Sequence, residues 1–85
     1  MKLLWEESAW ADYLFWLSAN PSAQKRINAL IKDTLRTPFE GLGKPEPLKG
    51  NLSGFWSRRI TEKDRLVYCV RDDTLIIAAC KGHYE

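Results

Sequence analysis

A stretch of proline and glycine divides this sequence into a helical part and a strand part. Residues 38–50, Pro-Phe-Glu-Gly-Leu-Gly-Lys-Pro-Glu-Pro-Leu-Lys-Gly, hold three of the four prolines and three of the five glycines. Proline and glycine both weaken helix and strand interiors, so the stretch reads as a loop. With 85 residues in all, neither flank is large enough to be a domain alone. The stretch is therefore a structured loop inside one domain, residues 1–85, rather than a linker. A chain of this size buries roughly 60–70% of its unfolded surface, enough for one core.

Ahead of the loop, Lys2 to Trp5 reads as a short apolar entry strand. From Ser8 a first helix places Trp10, Tyr13, Leu14 and Leu17 on one stripe, at spacings of three and four. Phe15 and Trp16 fall off that stripe and cover the core or a partner. Asn20-Pro21 ends this helix and starts the next, with Asn20 as N-cap and Pro21 as first helical residue. Ile27, Leu30, Ile31 and Leu35 form the buried stripe of the second helix, which stops before Pro38. After the loop come three strands, Phe55 to Thr61, Arg65 to Arg71 and Thr74 to about Lys81. Turns at Glu62-Lys63 and Asp72-Asp73 join them into a meander. The order β-α-α-β-β-β predicts an α+β fold, two helices packed on an antiparallel sheet with the first strand at an edge.

Several function classes drop out. The longest apolar run, Leu75 to Cys80, is six residues, far short of the 18 or so that cross a bilayer. Leu3-Leu4-Trp5 is too short for a secretory apolar region. Cys69 and Cys80 are no disulfide framework. Across an Asp72-Asp73 hairpin Cys69 faces Ile76, which leaves Cys80 about 13 Å further along at strand rise. Two free thiols suit a reducing cytoplasm. The formal charge of +2 is small but uneven. Residues 1–20 carry Lys2 against Glu6, Glu7 and Asp12, a net −2. Residues 44–65 carry six cations against Glu46, Glu62 and Asp64, a net +3. Such a stripe either contacts phosphates or simply solvates a strand face.

Three groups of residues are suited to chemistry. Glu46 lies between Pro45 and Pro47, with Lys44 and Lys49 on either side. A carboxylate on so stiff a backbone fits a general base, and fits equally a solvated acid in a rigid loop. Arg58, Arg59 and Arg65 occupy neighbouring strands. Arg58 and Arg59 point to opposite faces, and the turn register decides which of them shares a face with Arg65. Phe55, Trp56 and Tyr68 are interleaved with these arginines and offer core packing or base stacking. His83, the only histidine, is followed by Tyr84. With Cys69 and Cys80 placed as strand-core residues, no zinc set exists, and neither a metal nor a cofactor is expected. The imidazole, with an ordinary pKa of about 6.5, fits a general acid or a solvated side chain near a chain end. A carboxylate base, an arginine cluster and a histidine acid suffice for metal-free RNA cleavage. The base takes the 2′-OH proton, the freed oxygen attacks the adjacent phosphorus, and histidine protonates the leaving 5′-oxygen.

Four motifs, in order, carry a closer likeness. Gly43-Lys44-Pro45-Glu46-Pro47-Leu48-Lys49, Asn51-Leu52-Ser53-Gly54-Phe55-Trp56-Ser57-Arg58-Arg59-Ile60, Arg65-Leu66-Val67-Tyr68 and His83-Tyr84 resemble the YoeB toxins, within the wider RelE family of bacterial toxin–antitoxin modules. The likeness runs over essentially the whole chain. It implies a microbial-ribonuclease-like fold and a ribosome-dependent endoribonuclease that cuts mRNA and so inhibits translation. By position it implies Glu46 as general base, His83 as general acid and Arg65 as transition-state stabiliser. Lys49 and Arg59 would support the phosphates, and Tyr84 would position substrate. It also implies a YefM-type antitoxin, contact with ribosome and mRNA, a homodimer, and operator DNA reached only through the antitoxin complex. Three positions depart from the family pattern. Asp64 stands where histidine is common, and pairing with Arg65 would weaken that residue's grip on phosphate. Gly82 replaces an aromatic residue and loosens the backbone before His83. Glu85 extends past the usual terminal tyrosine. The rival readings are a non-enzymatic toxin similar to the ParE gyrase inhibitors and a small RNA-binding module without chemistry.

Overall fold

The computed structural model describes residues 1–82. Strand β1 (Lys2–Trp5) leads into helices α1 (Glu7–Ala19) and α2 (Pro21–Arg36). Strand β2 (Glu46–Pro47) and a single 3₁₀ turn (Gly50–Leu52) precede the meander β3 (Trp56–Arg59), β4 (Arg65–Arg71) and β5 (Thr74–Ala79). The five strands form one sheet in the order β1-β5-β4-β3-β2. The expected α+β arrangement is present, with β1 at an edge. The sheet is mixed rather than antiparallel, because β1 joins β5 in parallel, Lys2 opposite Thr74 and Trp5 opposite Ile77. β2 is an addition to the expected element order. It pairs antiparallel with β3 at the other edge, where Pro47 needs no ladder donor.

The α2 stripe is as the spacing predicts. Ile27, Leu30 and Ile31 are buried and Leu35 packs half-buried against the core. The Asn20 side chain accepts a hydrogen bond from the Ala23 amide at 3.3 Å, and Pro21 occupies the first helical turn. In α1 the buried face differs from the expected stripe. Ala9 and Trp16 are buried, whereas Trp10, Leu14 and Leu17 are each about half exposed. The helix is apolar nearly all round, so spacing alone does not select a face. Two hydrogen bonds to β5's exit do so. The Trp16 indole Nε1 donates to the Cys80 carbonyl at 2.7 Å, and Asp12 accepts from the Cys80 amide at 3.1 Å. Ala9, Asp12 and Trp16 thus share the inward face.

The Asp72-Asp73 hairpin forms as expected. Arg71 faces Thr74 and Cys69 faces Ile76, with both aspartates at positive φ (50° and 56°) as a type I′ turn requires. The turn between β3 and β4 is longer than the expected Glu62-Lys63. Residues 60–64 form it, closed by the Ile60 amide donating to the Asp64 carbonyl. Its odd length reverses the facing of the arginines, which places the site.

Candidate active site

β3 and β4 pair with Trp56 opposite Tyr68, Ser57 opposite Val67, Arg58 opposite Leu66 and Arg59 opposite Arg65. Directly opposed residues share a face. Trp56, Arg58, Leu66 and Tyr68 therefore lie on the helix side, while Ser57, Arg59, Arg65 and Val67 lie on the opposite side, where Ser57 and Val67 are buried and Arg59 is exposed. A two-residue turn at Glu62-Lys63 would have set Ile60 opposite Arg65, with Arg58 on Arg65's face; the five-residue turn sets Arg59 directly opposite Arg65. On the other flank Glu46 sits opposite Ser57 and joins the same face. Glu46, Arg59 and Arg65 thus converge from three adjacent strands. At ordinary sheet spacings Glu46 stands about 10 Å across and about 7 Å along from Arg65.

The acid and the cations stand apart. Among the described residues no ion pair joins Glu46 to Lys49, Arg59 or Arg65. An acid locked to a guanidinium would be a poor proton acceptor, and Glu46 is not so locked. Glu46 and Arg59 are exposed and Arg65 is half-buried. Arg65 spends one guanidinium nitrogen on its own loop. Its Nη1 donates to the carbonyls of Thr61, Glu62 and Asp64 at 2.9, 3.2 and 3.1 Å. Lys49 is exposed where β2 runs into the 3₁₀ turn. His83 and Tyr84, expected as acid and substrate-positioning residue, lie outside the described residues.

Arg58 belongs to a different construction, which the sequence reading did not find. Its side chain is fully buried. Nε donates to the Tyr68 hydroxyl at 3.1 Å. Nη1 donates to Asp33 Oδ2 at 2.7 Å and to the Leu42 carbonyl at 3.1 Å. Nη2 donates to the carbonyls of Thr37 and Glu40 at 2.6 and 2.9 Å. Asp33 also accepts from the Leu42 amide at 2.9 Å, and Tyr68 donates to the Pro38 carbonyl at 2.6 Å. The guanidinium thereby staples residues 37–42 to the sheet. Gly41, at φ 112°, passes so close to Asp33 that any Cβ would collide with its carboxylate. From there the Gly43 carbonyl accepts the Arg59 amide at 2.7 Å and delivers the chain to Pro45-Glu46-Pro47. The signal available in the sequence was Asp33 itself, an acid three residues after Leu30 on the buried stripe of α2.

The Arg36 guanidinium, the Leu42 amide and the Arg58 guanidinium together hold the Asp33 carboxyl well below the usual carboxylate range. Burial raises the Tyr68 phenol and keeps it protonated. Burial, helped by Asp12, pushes the Cys80 thiol up to about 12, which makes it a poor nucleophile. Both cysteines are free and buried. Trp56 and Tyr68 pack in or against the core, and Phe55 lies under the Arg71 guanidinium at 5.7 Å.

Two helices packed on one face of a mixed five-stranded sheet define an α+β protein with a candidate site on the opposite sheet face. The structure is similar to a YoeB/ParE toxin from Agrobacterium tumefaciens, with TM-score 0.96, 50% identity, and 99% and 100% of the two chains covered. It is also similar to a YoeB-YefM complex from Staphylococcus aureus (TM-score 0.90, 44% identity, 99% and 98% covered). A YoeB dimer from the same organism matches alike (TM-score 0.91, 42% identity, 99% and 98% covered). The chain belongs to the YoeB-like toxins of bacterial type II toxin–antitoxin systems, whose family model matches residues 5–84. Toxin YoeB of Escherichia coli strain K12 is 68% identical over 84 residues, covering 99% of this chain and all of that protein.

Proposed function

We propose that this toxin is a ribosome-dependent endoribonuclease that cleaves mRNA and so stops translation. The observation that supports this reading is the convergence of Glu46, Arg59 and Arg65 on one sheet face. Glu46 acts as general base on the 2′-OH, Arg65 stabilises the charge growing on the phosphoryl oxygens, and Arg59 and Lys49 bind phosphates. His83 protonates the leaving 5′-oxygen and Tyr84 positions the substrate. The 2′-hydroxyl is the nucleophile, so the substrate is RNA. A YefM-type antitoxin covers the face, a homodimer forms, and operator DNA is contacted through the antitoxin complex. The cytoplasm is the site of action, where ribosomes present the message.

Primer extension on mRNA from cells expressing wild type and Glu46→Ala tests the reading. Cuts at ribosome-positioned codons are expected with the wild type, and loss of the base should lower cleavage by about 10²–10⁴-fold. Intact mRNA with stalled gyrase would instead identify a ParE-like toxin acting by protein binding. Intact mRNA with retained RNA affinity would identify a binding module without chemistry.

A further inference from the structure

Asp64 stands beside Arg65, yet its carboxylate does not pair with that guanidinium. One oxygen, Oδ2, accepts the Thr61 hydroxyl at 2.7 Å, and the same hydroxyl oxygen accepts the amides of Lys63 and Asp64 at 3.2 and 3.0 Å. The turn thus fixes the carboxylate's direction. The other oxygen, Oδ1, accepts the Gly82 amide at 2.8 Å. Gly82 in turn accepts the Arg65 amide on its carbonyl at 2.7 Å. Both backbone groups of Gly82 are therefore held from two successive residues, 64 and 65, at the start of β4. Gly82 sits at φ 80°, where a side chain would be strained. A residue bound at both its amide and its carbonyl is not loosened by being glycine; here glycine is what lets the backbone take the bound shape.

We infer that Asp64 is a positioning residue: its carboxylate anchors the backbone of Gly82, the residue that directly precedes His83 in the sequence. The inference rests on the proposed function, in which His83 delivers the proton to the leaving oxygen. Asp64 and Gly82, two of the three departures from the family pattern, form one device. Arg65 gains from it as well. Its amide donates to the Gly82 carbonyl and its guanidinium to the turn carbonyls of Thr61, Glu62 and Asp64, which holds the cation and Gly82 in one frame. The carboxylate is engaged by a hydroxyl and an amide, and not by the guanidinium it was expected to blunt.

The test is single-turnover cleavage of mRNA on preassembled ribosome complexes by wild type, Asp64→Ala, Asp64→Asn and Glu46→Ala. Loss of positioning should lower the Asp64→Ala rate at saturating toxin by roughly tenfold or more, with the half-saturating concentration unchanged. Asp64→Asn keeps an oxygen for the Gly82 amide and should restore the rate. Amide exchange at Gly82 should accelerate in Asp64→Ala and stay slow in Asp64→Asn. Should Asp64→Ala fold poorly, Thr61→Val, which frees the carboxylate to rotate, should show the same change in smaller degree. Rates for both Asp64 variants equal to or above wild type would overturn the inference, the faster case marking Asp64 as a counter-charge to Arg65. A wild type that does not cleave would overturn the proposed function instead, and Gly82 exchange would still decide whether Asp64 holds Gly82.

Discussion

Arg58 makes five hydrogen bonds with no exposure, while its neighbour Arg59 makes its contacts through the backbone and faces solvent. The two arginines differ in role because successive strand residues point to opposite faces. Arg58→Met should therefore destabilise the fold by at least about 3 kcal/mol, since buried carbonyls and the Asp33 carboxylate lose their donor. Arg59→Met should leave stability nearly unchanged and weaken cleavage. Urea unfolding beside cleavage assays separates the pair. Asp33 adds a pH dependence. Its folded carboxyl is held below the unfolded value, so its stabilisation is complete above about pH 4 and is lost as pH falls through the folded value. Urea midpoints measured from pH 7 to pH 2 should fall along this limb. The fall should be shallower in Asp33→Asn, which is already weakened at pH 7.

Helix α1 shows what an element's own pattern leaves open. Trp10, Tyr13, Leu14, Phe15, Trp16 and Leu17 give several apolar stripes, and the polar bonds of Asp12 and Trp16 to Cys80 choose one. Trp16→Ala should cost about 3–5 kcal/mol, the range for emptying a large aromatic site. Leu17→Ala, on the half-exposed face, should stay within about 0.5 kcal/mol for the monomer. Thermal unfolding of the two variants checks the orientation. In α2, Pro21, the Asn20 cap and one polar-faced stripe agree, so position and facing were both legible. β2 was not legible as a strand. A two-residue segment between prolines has no alternation to read, and it exists because β3 offers it an edge.

Over the whole molecule the charge distribution is sharper than its total. The segment 44–65 carries six cations, but Arg58 is buried against Asp33, leaving five cations and three acids toward solvent. A surface so weakly positive gains little from counterion release, which suits the proposed presentation of RNA by the ribosome. Affinity for naked RNA should be weak and should fall further with salt. Tight binding with fast cleavage of free RNA would contradict that expectation.

The sequence by itself determined the order of every main element except β2, the α2 face, the Asp72-Asp73 hairpin and the residue types of the candidate site. Caps, prolines, turn aspartates and one clear stripe act through near neighbours, and near neighbours are visible in a sequence. Tertiary structure decided which face of α1 is buried, that β1 runs parallel to β5, and that Arg59 rather than Arg58 meets Arg65. It also turned Asp64 from a threat to Arg65 into an anchor for Gly82. Each of these depends on register, and register is set by contacts between segments far apart in the chain. One extra residue in a turn exchanges the two faces of a strand, and no local propensity records it.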